Sequence, residues 1–331
     1  MSDTVGRLRI LTWHVHGNYL WYLTHVPHDF YLVTDAQRTV HHTGRSGTLP
    51  WAENVHEAPM ERIRDMEFDA VLYQSRAEYQ QARTSLLSAA QRRLPAVYLE
   101  HDPPQEHPTG QRHWADDGSM MIVHVTSFNA LMWEHEASAV TVIEHGVKLL
   151  ANVQYDGWLR RGIVVVNNLE TRGRRLGLDV FLKMRDRVPL TLVGMGSRNL
   201  GEYGEVGHAE LPGFMAEHRF FFNPIRWTSL GLSVIEAMMV GLPIVGLATT
   251  EMPTVISNGE NGWLDTRPER LVEVMQELLE NPELARCWGQ AARRVAMERF
   301  GIERFAAEWD RLLRSLCSVR SSSSLIAEKF A

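Results

Sequence analysis

Short apolar runs alternate with helix-patterned segments along this chain, in two successive series, and no other feature restricts the fold as strongly. In the first series RLRILTW (7–13), FDAVLYQS (68–75), PAVYLEH (95–101), SMMIVHVTS (119–127) and AVTVIEHG (139–146) read as strands, with helices at 76–93 and 128–136. In the second, GIVVVNN (162–168), PLTLVGMG (189–196), RFFFNP (219–224) and LPIVGLATT (242–250) read as strands, with helices at 177–187 and 231–241. Segments 267–280 and 282–316 are helical, broken at Asn281-Pro282. Apolar strands separated by helices make parallel sheets covered on both faces. The pattern lapses over 151–160, and 331 residues suit two domains of roughly 100–200 residues each. The expected division is an N-terminal Rossmann-like domain, 1–155, a C-terminal one, 156–317, and a loosely ordered serine-rich tail, 318–331.

An apolar share of 44% and a charged share of 22% place the chain among ordinary globular proteins. A net charge of −6 argues against a general nucleic-acid binder, which needs a basic surface. Cys287 and Cys317 stand apart, so neither a disulfide framework nor a zinc ribbon is expected. The opening apolar run is broken by His14 and His16, unlike a signal peptide, and no apolar stretch approaches the ~20 residues of a membrane span. A cytoplasmic location is expected, with peripheral membrane contact left open.

The segment NPIRWTSLGLSVIEAMMVGLPIVGLATTEMPTVISNGENGWL (223–264) carries the chemistry. Ser229, Leu230 and Gly231 lead into a helix that Gly241 stops. Amides in a helix's first turn lack intrahelical partners, and the macrodipole adds positive charge there. Such a turn can cradle a diphosphate, and Glu236 behind it can bind vicinal hydroxyls. Spacing alone leaves another reading open, since Ser233 and Glu236 also spell a capping box.

The same stretch resembles the signature of retaining glycosyltransferase family 4. Pro224, Gly231, Leu232, Glu236, Ala237, Met238, Gly241, Pro243, Ile244 and Val245 stand at the matching positions without gaps. The resemblance implies the GT-B architecture, with two facing Rossmann-like domains, an interdomain cleft and a final helix crossing back to the first domain. It implies transfer of a sugar from a nucleoside-diphosphate sugar to a hydroxyl acceptor (glycan, glycolipid or small molecule), with retention. The nucleotide sugar is then a co-substrate, and neither cofactor nor metal is expected. Glu236 would hold the ribose, and Ser229, Leu230, Gly231 and Leu232 would face the donor. Where the family usually has a first glutamate, this chain has Thr228. VIEHGVK (142–148) is similar to the family's segment closing the first domain. VVVNNLETRGRRLGLDVFLKM (164–184) is similar to its phosphate-binding loop, which puts Arg172 and Arg174 on the diphosphate; a solvated basic turn is the alternative. The Gly-x-Gly of TLVGMGS (191–197) reads as a turn rather than a dinucleotide site.

His14 and His16 follow the first strand, and His101 and Asp102 the third. The carboxyl ends of parallel strands converge on one edge, so these side chains are expected together. By resemblance, Gly17 approaches donor and acceptor, and His101 touches the transferred sugar, making His101 and Thr228 the catalytic candidates. A His-x-His metal site with a carboxylate, in a metal-dependent hydrolase, is one rival. A non-catalytic nucleotide-sugar-binding protein, suggested by Thr228, is another. His107 and His113, in the polar loop 102–118, are expected to be solvated.

Overall fold

The computed structural model describes residues 6–149 and 152–327, which divide into two compact units, Met1–Gly146 with Ile302–Ala331, and Val147–Gly301. The division falls after Gly146, whereas the lapse in the sequence pattern begins at 151.

The first unit is built on a seven-stranded sheet ordered β3-β2-β1-β4-β5-β6-β7. Its strands are β1 (Arg9–Thr12), β2 (Asp29–Thr34), β3 (Val55–Pro59), β4 (Ala70–Tyr73), β5 (Ala96–Glu100), β6 (Met121–His124) and β7 (Val140–Val142). Every neighbouring pair is parallel. Helices α1 (Gly17–Leu23), α2 (Arg76–Gln81) and α3 (Ser127–Met132) follow β1, β4 and β6. β2 and β3 go unread in the sequence; VHEAP mixes polar with apolar residues, whereas β2 holds the apolar run FYLV (30–33), which the two series leave out. The helix expected over 76–93 stops at Gln81, passes through a π turn at Ala82–Leu86 and resumes as a 3-10 turn at Gln91–Arg93. Ser88 and Gln91 exchange side-chain and backbone bonds of 3.0 and 3.2 Å, a local competitor to the helix ladder.

The second unit carries the parallel sheet β12-β11-β10-β8-β9. Its strands are β8 (Leu159–Val165), β9 (Leu190–Val193), β10 (His218–Asn223), β11 (Ile244–Leu247) and β12 (Gly262–Asp265). Its helices are α4 (Leu169–Arg172), α5 (Leu178–Arg185), α6 (Leu211–Ala216), α7 (Leu232–Val240), α8 (Pro268–Glu280) and α9 (Pro282–Arg299). Val164, Leu192, Phe220, Phe222 and Val245 pack from one face of the sheet against Phe181, Leu271, Met275 and Trp288.

The single helix expected over 282–316 breaks at Phe300-Gly301. The final helix, α10 (Ile302–Ala327), belongs to the first unit. There Phe305, Trp309 and Leu313 are buried, and Arg304 donates to the carbonyls of Glu144 and His145. A β-carbon on Gly146 would lie 2.2 Å from Phe305, so the glycine of VIEHGVK is what lets this helix approach. The helix also runs through most of the serine-rich segment read as a tail; 328–331 lie outside the described residues.

Candidate functional site

In each unit the strand order reverses beside the first strand, between β1 and β4 and between β8 and β10. Ligands of open parallel sheets sit outside the carboxyl ends of the strands at such a reversal. The candidate residues fall on the loops and helices that follow β1, β8 and β10 or, for His101 and Asp102, the adjoining β5.

In the second unit, the loop after β10 runs from Pro224 to Gly231 and starts α7, whose N-cap is Gly231 with no side-chain bond closing the turn. Thr228, Gly231 and Leu232 are half-buried, while Ser229 and Leu230 are buried. The capping box does not form. Ser233 lies inside the first turn, and its hydroxyl donates to the Val165 carbonyl at 3.2 Å, pinning the turn to the end of β8. Glu236 is 3% exposed on a helix buried from Val234 to Val240. A buried carboxylate needs polar partners, and with Gly231 as the N-cap Glu236 takes no part in a capping box.

The basic loop after β8 is laced to this segment. Gly177 has φ 85°, and a β-carbon there would lie 2.0 Å from the Pro224 carbonyl oxygen; only glycine combines that conformation with that approach. The amides of Arg226 and Trp227 donate to the Arg175 carbonyl at 3.0 and 3.3 Å. Arg226 also grips Asp179 through two bonds of 2.6 and 2.8 Å. Asp179 takes Arg174 as well, at 2.7 Å, with the Arg174 side chain 76% exposed. The Arg226 guanidinium accordingly holds the Asp179 carboxyl below its usual range. Arg174 therefore starts from an ion pair, and Arg172 is exposed at the end of α4. Arg226 and Asp179 escaped the sequence reading, although Arg226 lies inside the signature, two residues after Pro224. Met195 of the Gly-x-Gly turn completes the edge: its amide donates to Asn167 Oδ1 at 2.9 Å, and its carbonyl accepts from Asn168 at 2.7 Å.

In the first unit the structure gathers His14, His16, Gly17 and His101 at the carboxyl edge. β1 ends at Thr12, and the two histidines lie in the loop beyond it. His14 Nδ1 donates to the Gly44 carbonyl at 2.6 Å, and its Nε2 lies 3.0 Å from the β-carbon position of Gly17. His16 turns instead to His101, with ring centroids 4.1 Å apart. Gln74 orients His101: its amide donates to Thr12 Oγ1 and the Trp13 carbonyl at 3.1 and 3.0 Å. That leaves its oxygen 3.3 Å from His101 Nε2, which therefore carries the proton. Burial, with His16 and His145 nearby, keeps the His101 pKa well below the usual histidine value. Among the described residues no group of three His, Cys, Asp or Glu side chains is placed to hold a metal ion.

His113 is not solvated. It is 2% exposed, donates from Nε2 to Glu100 at 3.0 Å and accepts the Ala115 amide on Nδ1 at 3.1 Å. Burial lowers its pKa to about 4. The same carboxylate takes the Asp102 amide at 2.9 Å, so the loop 102–118 is tied at its root beside His101. His107 is exposed, as expected.

The helix start, the laced basic loop and the buried glutamate lie together after β8 and β10. Residues 196–295 match the family of glycosyl transferases group 1. This group 1 segment runs from the turn after β9 into α9 and contains the signature, but neither the basic loop nor the histidines. Over 86 residues the chain is 33% identical to the N-acetyl-alpha-D-glucosaminyl L-malate synthase of Bacillus anthracis, covering 25% of this chain and 22% of that protein. The chain thus spans about a fifth of the length of the first curated relatives it matches. Sucrose-phosphate synthase of Thermosynechococcus elongatus superposes with a TM-score of 0.70 at 16% identity, over 95% of this chain and 100% of that one. HepE of Anabaena, solved in complex with UDP-glucose, does so with a TM-score of 0.67 at 15% identity, over 93% and 100%. At these identities the likeness is one of fold: α/β, GT-B, with two Rossmann-like domains, as the sequence implied.

Proposed function

We propose that this chain is a glycosyltransferase that moves a sugar from a nucleoside-diphosphate sugar to a hydroxyl acceptor, with retention and without a metal. One observation carries the reading. An open helix start at Gly231, backed by the buried Glu236, stands at the strand-order reversal of a parallel sheet inside the segment that matches the group 1 family. In this reading the diphosphate lies against the amides of Ser229–Leu232, and Glu236 accepts the ribose hydroxyls. Arg172 and Arg174 face the charge that develops as the sugar–phosphate bond breaks. Preorganised donors of this kind stabilise a departing anion, and Arg174 would exchange Asp179 for phosphate on binding. His101, its Nε2–H fixed by Gln74, would bind the transferred sugar, and Thr228 would contribute a hydroxyl where the family usually has a carboxylate. UDP is the first nucleotide to try, because HepE was solved with UDP-glucose.

The test is a thermal-shift panel of UDP-, GDP-, ADP- and CMP-sugars, repeated in excess chelator. A donor at 100 times its Kd should stabilise the fold by about 2.7 kcal/mol, undiminished by chelator. A panel that leaves the melting temperature unchanged at millimolar concentration removes the donor site. Proton NMR of the product's anomeric signal decides retention, and loss of turnover on chelation would overturn the metal-free assignment.

A further inference from the structure

His101 is held from three sides, and the three contacts leave one of its polar atoms unused. Its carbonyl accepts from Asn129 Nδ2 at 3.2 Å. Its ring stands at 89° to that of the buried Tyr19, with centroids 4.7 Å apart. Its Nε2 lies 3.3 Å from Gln74 Oε1. Among the described residues nothing hydrogen-bonds Nδ1, and that atom is not sealed in the interior. A side chain fixed this closely with one nitrogen to spare is preorganised for a ligand.

Gln74, buried just beyond β4, decides the character of that nitrogen. The Trp13 carbonyl can only accept, so the Gln74 amide turns its NH2 group there, at 3.0 Å. Thr12 Oγ1 takes the second N–H at 3.1 Å. Turned the other way, the amide would set two carbonyl oxygens against each other in the interior, where neither has a donor. The Gln74 oxygen is thus left for His101. It too can only accept, so the ring proton sits on Nε2. Burial, with His16 and His145 nearby, keeps the ring neutral, and a neutral imidazole carries one N–H. Nδ1 is therefore a bare acceptor.

We propose that Gln74 is a positioning residue that makes His101 a hydrogen-bond acceptor towards the transferred sugar: Nδ1 takes a bond from a sugar hydroxyl and disfavours a substituent with no proton to give. The backbone carbonyl of Trp13, relayed through Gln74, thereby sets a preference in the donor sugar. The proposal rests on the glycosyltransferase reading and adds a specificity to it.

The test uses the full chain, with UDP-glucose, or the nucleotide sugar that the melting panel selects in its place, and analogues in which fluorine replaces one sugar hydroxyl at a time. Fluorine cannot donate. In calorimetric titration one analogue should bind wild type about tenfold more weakly than the parent sugar, the loss of one hydrogen bond. To His101→Phe that analogue and its parent should bind alike, which assigns the loss to this contact. Gln74→Met fills similar space without the amide. It should bind the free nucleoside diphosphate as wild type does and the nucleotide sugar about tenfold more weakly, whereas a merely structural role would lower both. Long-range 15N–1H NMR of the wild-type chain should place the His101 proton on Nε2. A proton on Nδ1 overturns the proposal, as does an analogue series to which wild type and His101→Phe respond alike. If Gln74→Met does not fold, the tautomer and the His101→Phe comparison decide. A chain that binds the nucleotide sugar without this discrimination keeps the donor reading and loses this one; a chain that binds no nucleotide sugar loses both.

Discussion

Glu236 and Asp116 are both buried carboxylates. Glu236 stands behind an open helix start, so Glu236→Gln should leave the melting temperature within a few degrees. It should weaken nucleotide-sugar binding by roughly 1.5–3 kcal/mol, the range for a charged hydrogen bond. Calorimetric titration checks this, and unchanged affinity in the variant would return Glu236 to a packing role. Asp116 is structural. Its carboxylate takes the amides of Glu136, Ala137 and Ser138 at 2.8, 3.0 and 2.7 Å, and Arg112 at 3.0 Å. Burial opposes its charge, but those donors prevail and hold its pKa far below the usual carboxylate value. A depressed pKa means the stabilisation is complete above the ordinary carboxylate range and is lost progressively as pH falls from that range through the lowered folded-state pKa. Asp116→Ala should therefore cost about 1.5–3 kcal/mol at pH 7, and urea melts should show the difference shrinking below pH 4. Glu236 is legible as a candidate because it stands in a helix-start pattern that resembles a family signature. Asp116 and Gln74 are not, because their partners come from loops that no local pattern brings together.

At the scale of elements, the strands with continuous apolar runs were legible, since both faces of a parallel sheet are covered. The edge strands β3 and β12 were not, because VHEAP and GWLD carry too few apolar residues in a row. The basic loop after β8 was recognised but its architecture was not: Arg174 is held by Asp179, and Asp179 by Arg226, a residue from the other loop. That lacing depends on Gly177. Gly177→Ala combines an unfavourable φ with a backbone clash at Pro224, and strain of this kind costs about 1–3 kcal/mol. The variant should melt lower and lose nucleotide-sugar affinity together. Arg174→Ala should instead keep its stability and lose about tenfold in donor affinity, one charge-assisted contact. Unchanged donor affinity in Arg174→Ala would make that arginine only the outer partner of Asp179.

On the scale of the whole chain, two α/β units were readable from two runs of strands, and the return of the final helix to the first unit is what the family resemblance implied. α10 lies in the first unit and supplies Phe305, Trp309 and Leu313 to it. His28 and Asp310 meet there at 3.3 Å. Removing residues 302–331 should expose the apolar surface around Tyr19 and Gly146, where Phe305 packs. The shortened chain should bind a hydrophobic dye and lose the cooperative melt of the first unit. A native melt after truncation would show that α10 is an accessory.

The return of the chain to its first unit also sets an order of events during synthesis. The second unit, Val147–Gly301, is one uninterrupted stretch, and domains generally fold as units while the chain emerges. The first unit is begun earliest, yet it cannot cover Tyr19 and Gly146 until the last helix has left the ribosome. A nascent chain stalled anywhere between the two must keep that apolar surface open, so the part translated first is the part completed last and the one with most need of a chaperone's protection.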